Sequence, residues 1–336
     1  MQKAIFHNRR AIQIENDSVR VTVTEEGGHI AEILNKTTAV NPLWIPPWLS
    51  IEPSAWSPVD TPEYGPDADA QLLAAIMGHN LCLDLFGPPS ADEQAAGVRT
   101  HGEAGIVRWE FESSPAGLVA RCVLPLSQLA CERAISLEGR TMHVRETVEN
   151  LTAHDRPIAW TQHVTLGPPF LERGRTEFFA NTVRCCTNAD HDGKQTGSVG
   201  DQKGLQETLS SAHSSGGYRA FLIDERQADS YFIAWSPAVE TALAYSWKRT
   251  DFPWLGIWDE NRLRQYKPWS GRVLARGLEF GVSPFPEARK EMIERGRLLD
   301  TAAYRWIPAK GRLTVEFLAA TIEAKNMPAS LADFNA

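Results

Sequence analysis

Long hydrophobic runs are missing from this 336-residue chain. No apolar stretch approaches the roughly 18 to 20 residues that span a bilayer, and the opening MQKAIFHNRRAIQIEND has no apolar segment to act as a signal peptide. The expectation is a cytoplasmic protein with no membrane partner. Cysteine is scarce: five residues, of which Cys185 and Cys186 are adjacent while Cys82, Cys122 and Cys131 sit in apolar contexts. An odd, sparse set without CxxC spacing excludes a disulfide framework and argues against structural zinc, leaving reduced and mostly buried thiols. Positive charge is also in deficit, with 34 Lys and Arg against 42 Asp and Glu and a net charge of -8. Nucleic-acid binding needs a concentrated basic surface, so that partner is set aside. HExxH, G-x-S-x-G, P-loop and GxGxxG patterns are absent as well, which disfavours metal hydrolysis, serine hydrolysis and nucleotide chemistry together. Neither a metal nor an organic cofactor is expected.

What the chain does have is alternation. AIQIEND, SVRVTVTEEGG and HIAEILN switch between apolar and polar with period two. GIVRWEFESSPAGLVARCVLP reads as two strands about Ser-Pro-Ala-Gly, and RAISLEGRTMHVRETVENL as two more about Glu-Gly-Arg. The same pattern continues to GRLTVEFLAATIEA near the end, giving at least a dozen strands. Only DADAQLLAAIMG and PEARKEMIERGRLL carry helical signals. Hairpins without βαβ alternation predict an all-β fold, a large antiparallel β-sandwich with few short helices, as one domain over residues 1–336. The most polar stretch, residues 186–216, reads as a long surface excursion.

Four stretches place polar residues where pure structure would not need them: MGHNLCLDLFG with His79, Asn80 and Asp84; RTHGEAG with His101 and Glu103; AWTQHVTLGPPFLE with Gln162 and His163; and ARGLEFGVSPFPE with Glu279. Glu279 lies between Leu278 and Phe280, which a strand turns to one face while Glu279 points to the other. If that other face is buried, its pKa rises toward the range of a general base; if it is solvent, the residue is ordinary. His163, with Gln162 and Val164 on the opposite face, reads equally as a core histidine or a catalyst, and His101 as loop or chemistry. Tryptophan is abundant, at 11 residues, and YSWKRTDFPWLGIWDENRLRQYKPW gathers Trp247, Phe252, Trp254, Trp258, Tyr266 and Trp269 among charges including Arg249. Such a cluster is either sandwich core and rim or a carbohydrate groove, where aromatic faces meet sugar C–H surfaces. Arg249, Arg262 and Lys267 are suited to an anionic substituent or to plain surface charge.

Taken in order, these stretches resemble the galactose mutarotase-like superfamily, and within it the aldose 1-epimerases. IENDSVRVTVTEEGGHIAEILNK resembles the opening strands around a glycine pair, THGEAG the central His-Gly motif, WTQHVTLGPPF the strand supplying a second histidine, and RGLEFGVSPFPEA the late segment with the catalytic glutamate. The resemblance spans roughly Ile12 to Ile322 and implies a β-sandwich enzyme interconverting α and β anomers of a free sugar by acid–base ring opening. Carried over, Glu279 is the general base as a carboxylate, His163 the general acid as an imidazolium, and His101 a histidine that binds and polarises the sugar. His79, Asn80, Gln162, Trp254, Trp258 and Arg249 are the candidate substrate contacts. The chain departs from the pattern twice. The region that usually carries an arginine reads IMGHNLCLDLFG, and Gly216 and Gly217 stand where a sugar-binding aspartate is usual, with Asp224 several residues later. Both changes bear on which sugar is accepted. The resemblance implies a small carbohydrate as partner, no cofactor, and a monomer or homodimer. The competing readings are a non-catalytic carbohydrate-binding or sugar-sensing protein on the same fold, and a polysaccharide lyase or glycoside hydrolase on a related sandwich.

Overall fold

Period-two alternation becomes strand almost wherever it occurs in the structure, a computed structural model that describes residues 1–187, 208–227 and 229–334. An eleven-stranded sheet runs in the order β1 (Gln2–Phe6), β2 (Arg9–Glu15), β3 (Val19–Thr24), β4 (Ile30–Asn35), β5 (His79–Asp84), β10 (Arg156–Leu166), β17 (Leu274–Gly281), β16 (Trp254–Asn261), β13 (Ser215–Ile223) and β12 (Thr182–Thr187), with β20 (Arg305–Ile307) paired to the start of β10. An eight-stranded sheet runs β11 (Glu177–Ala180), β14 (Asp229–Ser236), β15 (Thr241–Lys248), β21 (Arg312–Glu323), β9 (Thr141–Asn150), β8 (Leu129–Glu138), β7 (Gly117–Leu124) and β6 (Glu110–Ser114). A separate small ladder joins β18 (Arg297–Leu298) to β19 (Thr301–Ala302). The pairings are antiparallel. Both predicted hairpins form, with Ser114 opposite Gly117 and Glu138 opposite Thr141.

The two large sheets share one apolar core. Val164, Leu278 and Phe280 of the first meet Tyr245, Trp247 and Phe317 of the second, and Phe280 stacks on Trp247 with ring centroids 4.2 Å apart. Aromatic pairs of this kind add about 0.5–1.5 kcal/mol beyond the area they bury.

A polar chain also crosses this core. Arg133 and Glu146 are fully buried and paired at 2.7 Å. Trp160 Nε1 and Gln162 Nε2 both donate to the second carboxylate oxygen of Glu146, at 3.1 and 2.5 Å. Gln162 Oε1 lies 2.8 Å from His79 Nε2, and His79 Nδ1 lies 3.2 Å from the Tyr245 hydroxyl. An amide oxygen only accepts, so His79 donates to Gln162 and Gln162 to Glu146; with His79 neutral, its Nδ1 accepts from the Tyr245 hydroxyl. That chain requires a neutral His79, and burial holds its pKa well below the usual histidine range.

Helices are short: α1 (Ala70–Leu73), α2 (Ala91–Ala95) and α3 (Arg289–Arg295). The first and last fall in the two predicted segments. The sequence reading contains no counterpart of α2, although Ser-Ala-Asp-Glu at 90–93 forms a complete capping box in which Ser90 and Glu93 exchange side-chain and backbone hydrogen bonds. Among the described residues no helix is long and apolar enough to cross a membrane. Most of the 186–216 excursion lies outside the described residues.

Candidate functional site

Strands β10 and β17 are neighbours in the larger sheet, and their register sets His163 directly opposite Glu279. The row continues to Asn80 on one side and Gly256 on the other. Along β10 and β17 the even-numbered side chains Val164, Leu278 and Phe280 enter the core, so His163 and Glu279 project from the outer face. That face is partly covered here. Loops and α1 rise around it to form a half-open cavity of about 400 Å3 that both side chains line together with His101, Thr165, Tyr218 and Trp258. Its size lies within the roughly 300–1,000 Å3 of small-molecule sites. Only 6% of His163 and 3% of Glu279 is exposed.

Nε2 of His163 stands 3.0 Å from Oε1 of Glu279, and Nδ1 of the same ring lies 3.0 Å from the Thr165 hydroxyl. Burial, reinforced by the Asp259 carboxylate, raises the Glu279 pKa to about 8, while burial lowers that of His163 to about 4. Desolvation favours the neutral form of each group. At neutral pH the free site therefore holds a carboxylic acid beside a neutral imidazole. The expected pairing of a carboxylate at Glu279 with an imidazolium at His163 is the other form of the same two groups. The two descriptions contain the same number of protons and differ by one transfer between atoms 3.0 Å apart, although Glu279 Oε1 makes no aligned hydrogen bond in the free site.

Small residues make room for the carboxyl. Gly277 precedes Glu279 on the same face of β17, opposite Thr165 and Trp258 in the neighbouring strands, and a Cβ at 277 would overlap Glu279 Oε1. Gly277→Ala is expected to displace the carboxyl by about an ångström and reduce turnover about 100-fold, the usual cost of such a misplacement. Far-UV circular dichroism should be unchanged. Parental turnover would show that the carboxyl position is not critical.

His101 occupies a turn that the backbone makes only under constraint. Its φ is +66° and that of Gly102 is +77°, and a Cβ at Gly102 would overlap the Leu83 carbonyl oxygen. The glycine lets the turn press against β5, which brings the imidazole over the cavity. There it stacks on Phe86 at 5.6 Å and meets the edge of His163 at 5.4 Å. Nδ1 accepts from the Gly87 amide at 3.3 Å, so the ring proton sits on Nε2. Burial lowers the pKa to about 3, making His101 a neutral hydrogen-bond donor throughout the physiological range.

The other sequence candidates scatter. Trp258 lines the cavity. Asn80 shares the outer face with His163 but is fully buried beside the cavity rather than in its wall. His79 and Gln162 face inward, in the polar chain between the sheets. Trp254 is on the same face as Trp258, yet it packs with Phe285, Ala220 and Leu222 and donates to the Ala302 carbonyl. Arg249 lies in a separate surface depression with Asp224 and Arg226, donating to the Ile223 carbonyl. Asp84 pairs with Arg156 and Arg289, and Glu103 accepts from the amides of Leu126 and Ser127; both are structural. Trp44, Tyr218 and Arg264 line the cavity and were not among the candidates. The signal for Arg264 was Glu260, whose Oε1 accepts from the Leu263 and Arg264 amides and shapes the rim loop. Arg264 then lies over the Trp269 ring at 4.4 Å. Gly216 and Gly217 do line the wall, so bare backbone faces the cavity there.

The sequence matches no protein-family model and no curated protein. Solved structures give a clear likeness. A Klebsiella pneumoniae protein described as a candidate aldose 1-epimerase superposes with a TM-score of 0.71 at 14% identity, over 96% of this chain and 83% of that one. Galactose mutarotase-like proteins follow: from Clostridium acetobutylicum at 0.65 and 12% identity over 96% and 98% of the two chains, and from Lactobacillus casei at 0.62 and 13% over 93% and 100%. At these identities the likeness establishes architecture alone, and the chain has the galactose mutarotase-like fold of antiparallel sheets.

Proposed function

We propose that the protein is an aldose 1-epimerase-like isomerase that interconverts the α and β anomers of a free sugar. The observation that carries this reading is the His163–Glu279 pair, a proton donor and a proton acceptor 3.0 Å apart at the floor of a sugar-sized cavity. Ring opening requires a proton to leave the C1 hydroxyl and another to reach the ring oxygen. With the pair in its charge-separated form, Glu279 takes the C1 hydroxyl proton, the C1–O5 bond breaks, its electron pair stays on O5, and His163 supplies the proton there. A free aldehyde results, and the pair is left neutral. Burial favours that neutral state, so desolvation assists the opening step. After rotation about C1–C2 the same transfers run in reverse on the other carbonyl face. Neutral His101 donates to a sugar oxygen without competing for the proton.

The one-proton state of the pair is the active one. Below about pH 4 His163 gains a proton and the acceptor is lost; above about pH 8 the last proton leaves and the donor is lost. A bell-shaped kcat/KM profile with limbs near those values is expected, and a flat profile from pH 4 to 9 would contradict the assignment. Saturation-transfer NMR on a panel of equilibrated free aldoses tests the function itself. Protein-dependent acceleration of anomer exchange supports it; saturable binding without acceleration identifies a carbohydrate-binding protein instead.

A further inference from the structure

One wall of the cavity is apolar in a way that a fully hydroxylated sugar does not use. Leu72 and Leu73 of α1 and the adjoining Ile76 join Trp44 and Trp269 in a hydrophobic cluster separate from the main core, and all five reach the cavity beside His163 and Glu279. Trp44 and Trp269 are stacked nearly parallel, with planes 11° apart. The aliphatic part of this wall offers no hydrogen-bonding group. Three polar side chains elsewhere around the cavity are already engaged: Asp259 holds Arg276 through both oxygens, Glu260 holds two backbone amides, and the Tyr218 hydroxyl donates to the Pro284 carbonyl, while Asp69, Arg264 and the unpartnered Trp269 Nε1 remain at the cavity beyond the aliphatic patch. A hydroxymethyl group seated against Leu72, Leu73 and Ile76 would lose its water there and gain no hydrogen bond from those three side chains.

We infer that the sugar accepted here is a 6-deoxyhexose, whose methyl group packs on the Leu72–Leu73–Ile76 wall while its anomeric end meets His163 and Glu279. The choice of a sugar rests on the anomer-exchange reading; the preference for a methyl over a hydroxymethyl rests on the wall.

Matched pairs separate the two claims: D-fucose against D-galactose, D-quinovose against D-glucose, and L-rhamnose against L-mannose. Anomer exchange is measured by saturation-transfer NMR, and binding by quenching of the tryptophans that line the cavity. In at least one pair the deoxy sugar should exceed its parent in kcat/KM by about 100-fold, the size of discrimination an apolar pocket achieves against an added hydroxyl. Ile76→Thr, which puts a hydroxyl in place of the ethyl branch, should shrink that ratio to about 10-fold or less, whereas Ile76→Val, which trims the same branch without adding a hydroxyl, should keep most of it. Equal or better use of the parent in every pair would overturn the inference while leaving the isomerase reading intact. Preferential binding of a deoxy sugar without faster exchange would support the wall's role and overturn the isomerase. No binding and no exchange for any pair would overturn both.

Discussion

Glu279→Gln should reduce anomer exchange by about 100- to 10,000-fold, the range for loss of one positioned acid–base group, while leaving the folded protein at least as stable as its parent at pH 7 to 8. The reasoning joins geometry to linkage. Glutamine fills the same space above Gly277 and cannot carry the proton that passes between the sugar and His163, so kcat should fall with little change in KM. Stability moves the other way. A carboxyl whose pKa rises from 4.5 in the unfolded chain to about 8 in the folded one keeps its proton on folding. Between those values the unfolded state binds fewer protons, so stability falls as pH rises through the window. Glutamine removes that dependence. His163 contributes with opposite sign: its folded pKa of about 4 lies below the unfolded value of 6.5, so its share of stability is full above pH 6.5 and lost as pH falls toward 4. His163→Asn should therefore cost turnover on the same scale as Glu279→Gln and flatten the acid limb of the stability curve. Urea unfolding across pH 4 to 8, with saturation-transfer rates on the same preparations, reads both. Near-parental exchange in purified Glu279→Gln would remove Glu279 from the chemistry.

The strand alternation around Glu279 made half of this site legible. Leu278 and Phe280 had to share a face, and that face is the core; what the sequence did not contain was whether the opposite face met solvent. The answer came from Trp44 and α1, more than 200 residues earlier in the chain, which partly cover β17. Period two also separated His163 from Gln162 correctly. Yet the contact between His163 and Glu279 depends on β10 lying beside β17 in one particular register, and register between distant strands has no local code. The tryptophan cluster shows the same limit. Trp254 and Trp258 share a face, but Phe285 covers the first and leaves the second open to the cavity, while Trp247 and Phe252 belong to the core. Composition placed aromatic residues near a site and could not sort them. His79 was misplaced for a related reason: a polar residue in an apolar strand has two possible faces, and here the inward one carries a hydrogen-bonded chain that no local pattern announces.

Removing Glu146 should be the most destabilising single change to that chain, costing about 3–5 kcal/mol in urea unfolding as Glu146→Ala. Arg133 is fully buried and would retain the Gly28 carbonyl as an acceptor but no countercharge at its Nε. Trp160 Nε1 and Gln162 Nε2 would lose their shared acceptor at the same time. An uncompensated charge and two stranded donors in one place cannot be relieved by a side-chain rotation. The double change Arg133→Met with Glu146→Leu tests whether the loss comes from the stranded charge. Apolar replacement of a buried pair is often close to neutral, so the double variant should recover most of the deficit, with the remainder assigned to the Trp160 and Gln162 donors. A further effect should reach the cavity, because Gln162 immediately precedes His163 in β10 and the chain holds that strand from behind. Where the double variant is fully folded, a drop in kcat without a change in KM would indicate that the inward hydrogen bonds of β10 set the position of His163 on its outer face. Unchanged kcat would confine the chain to stability.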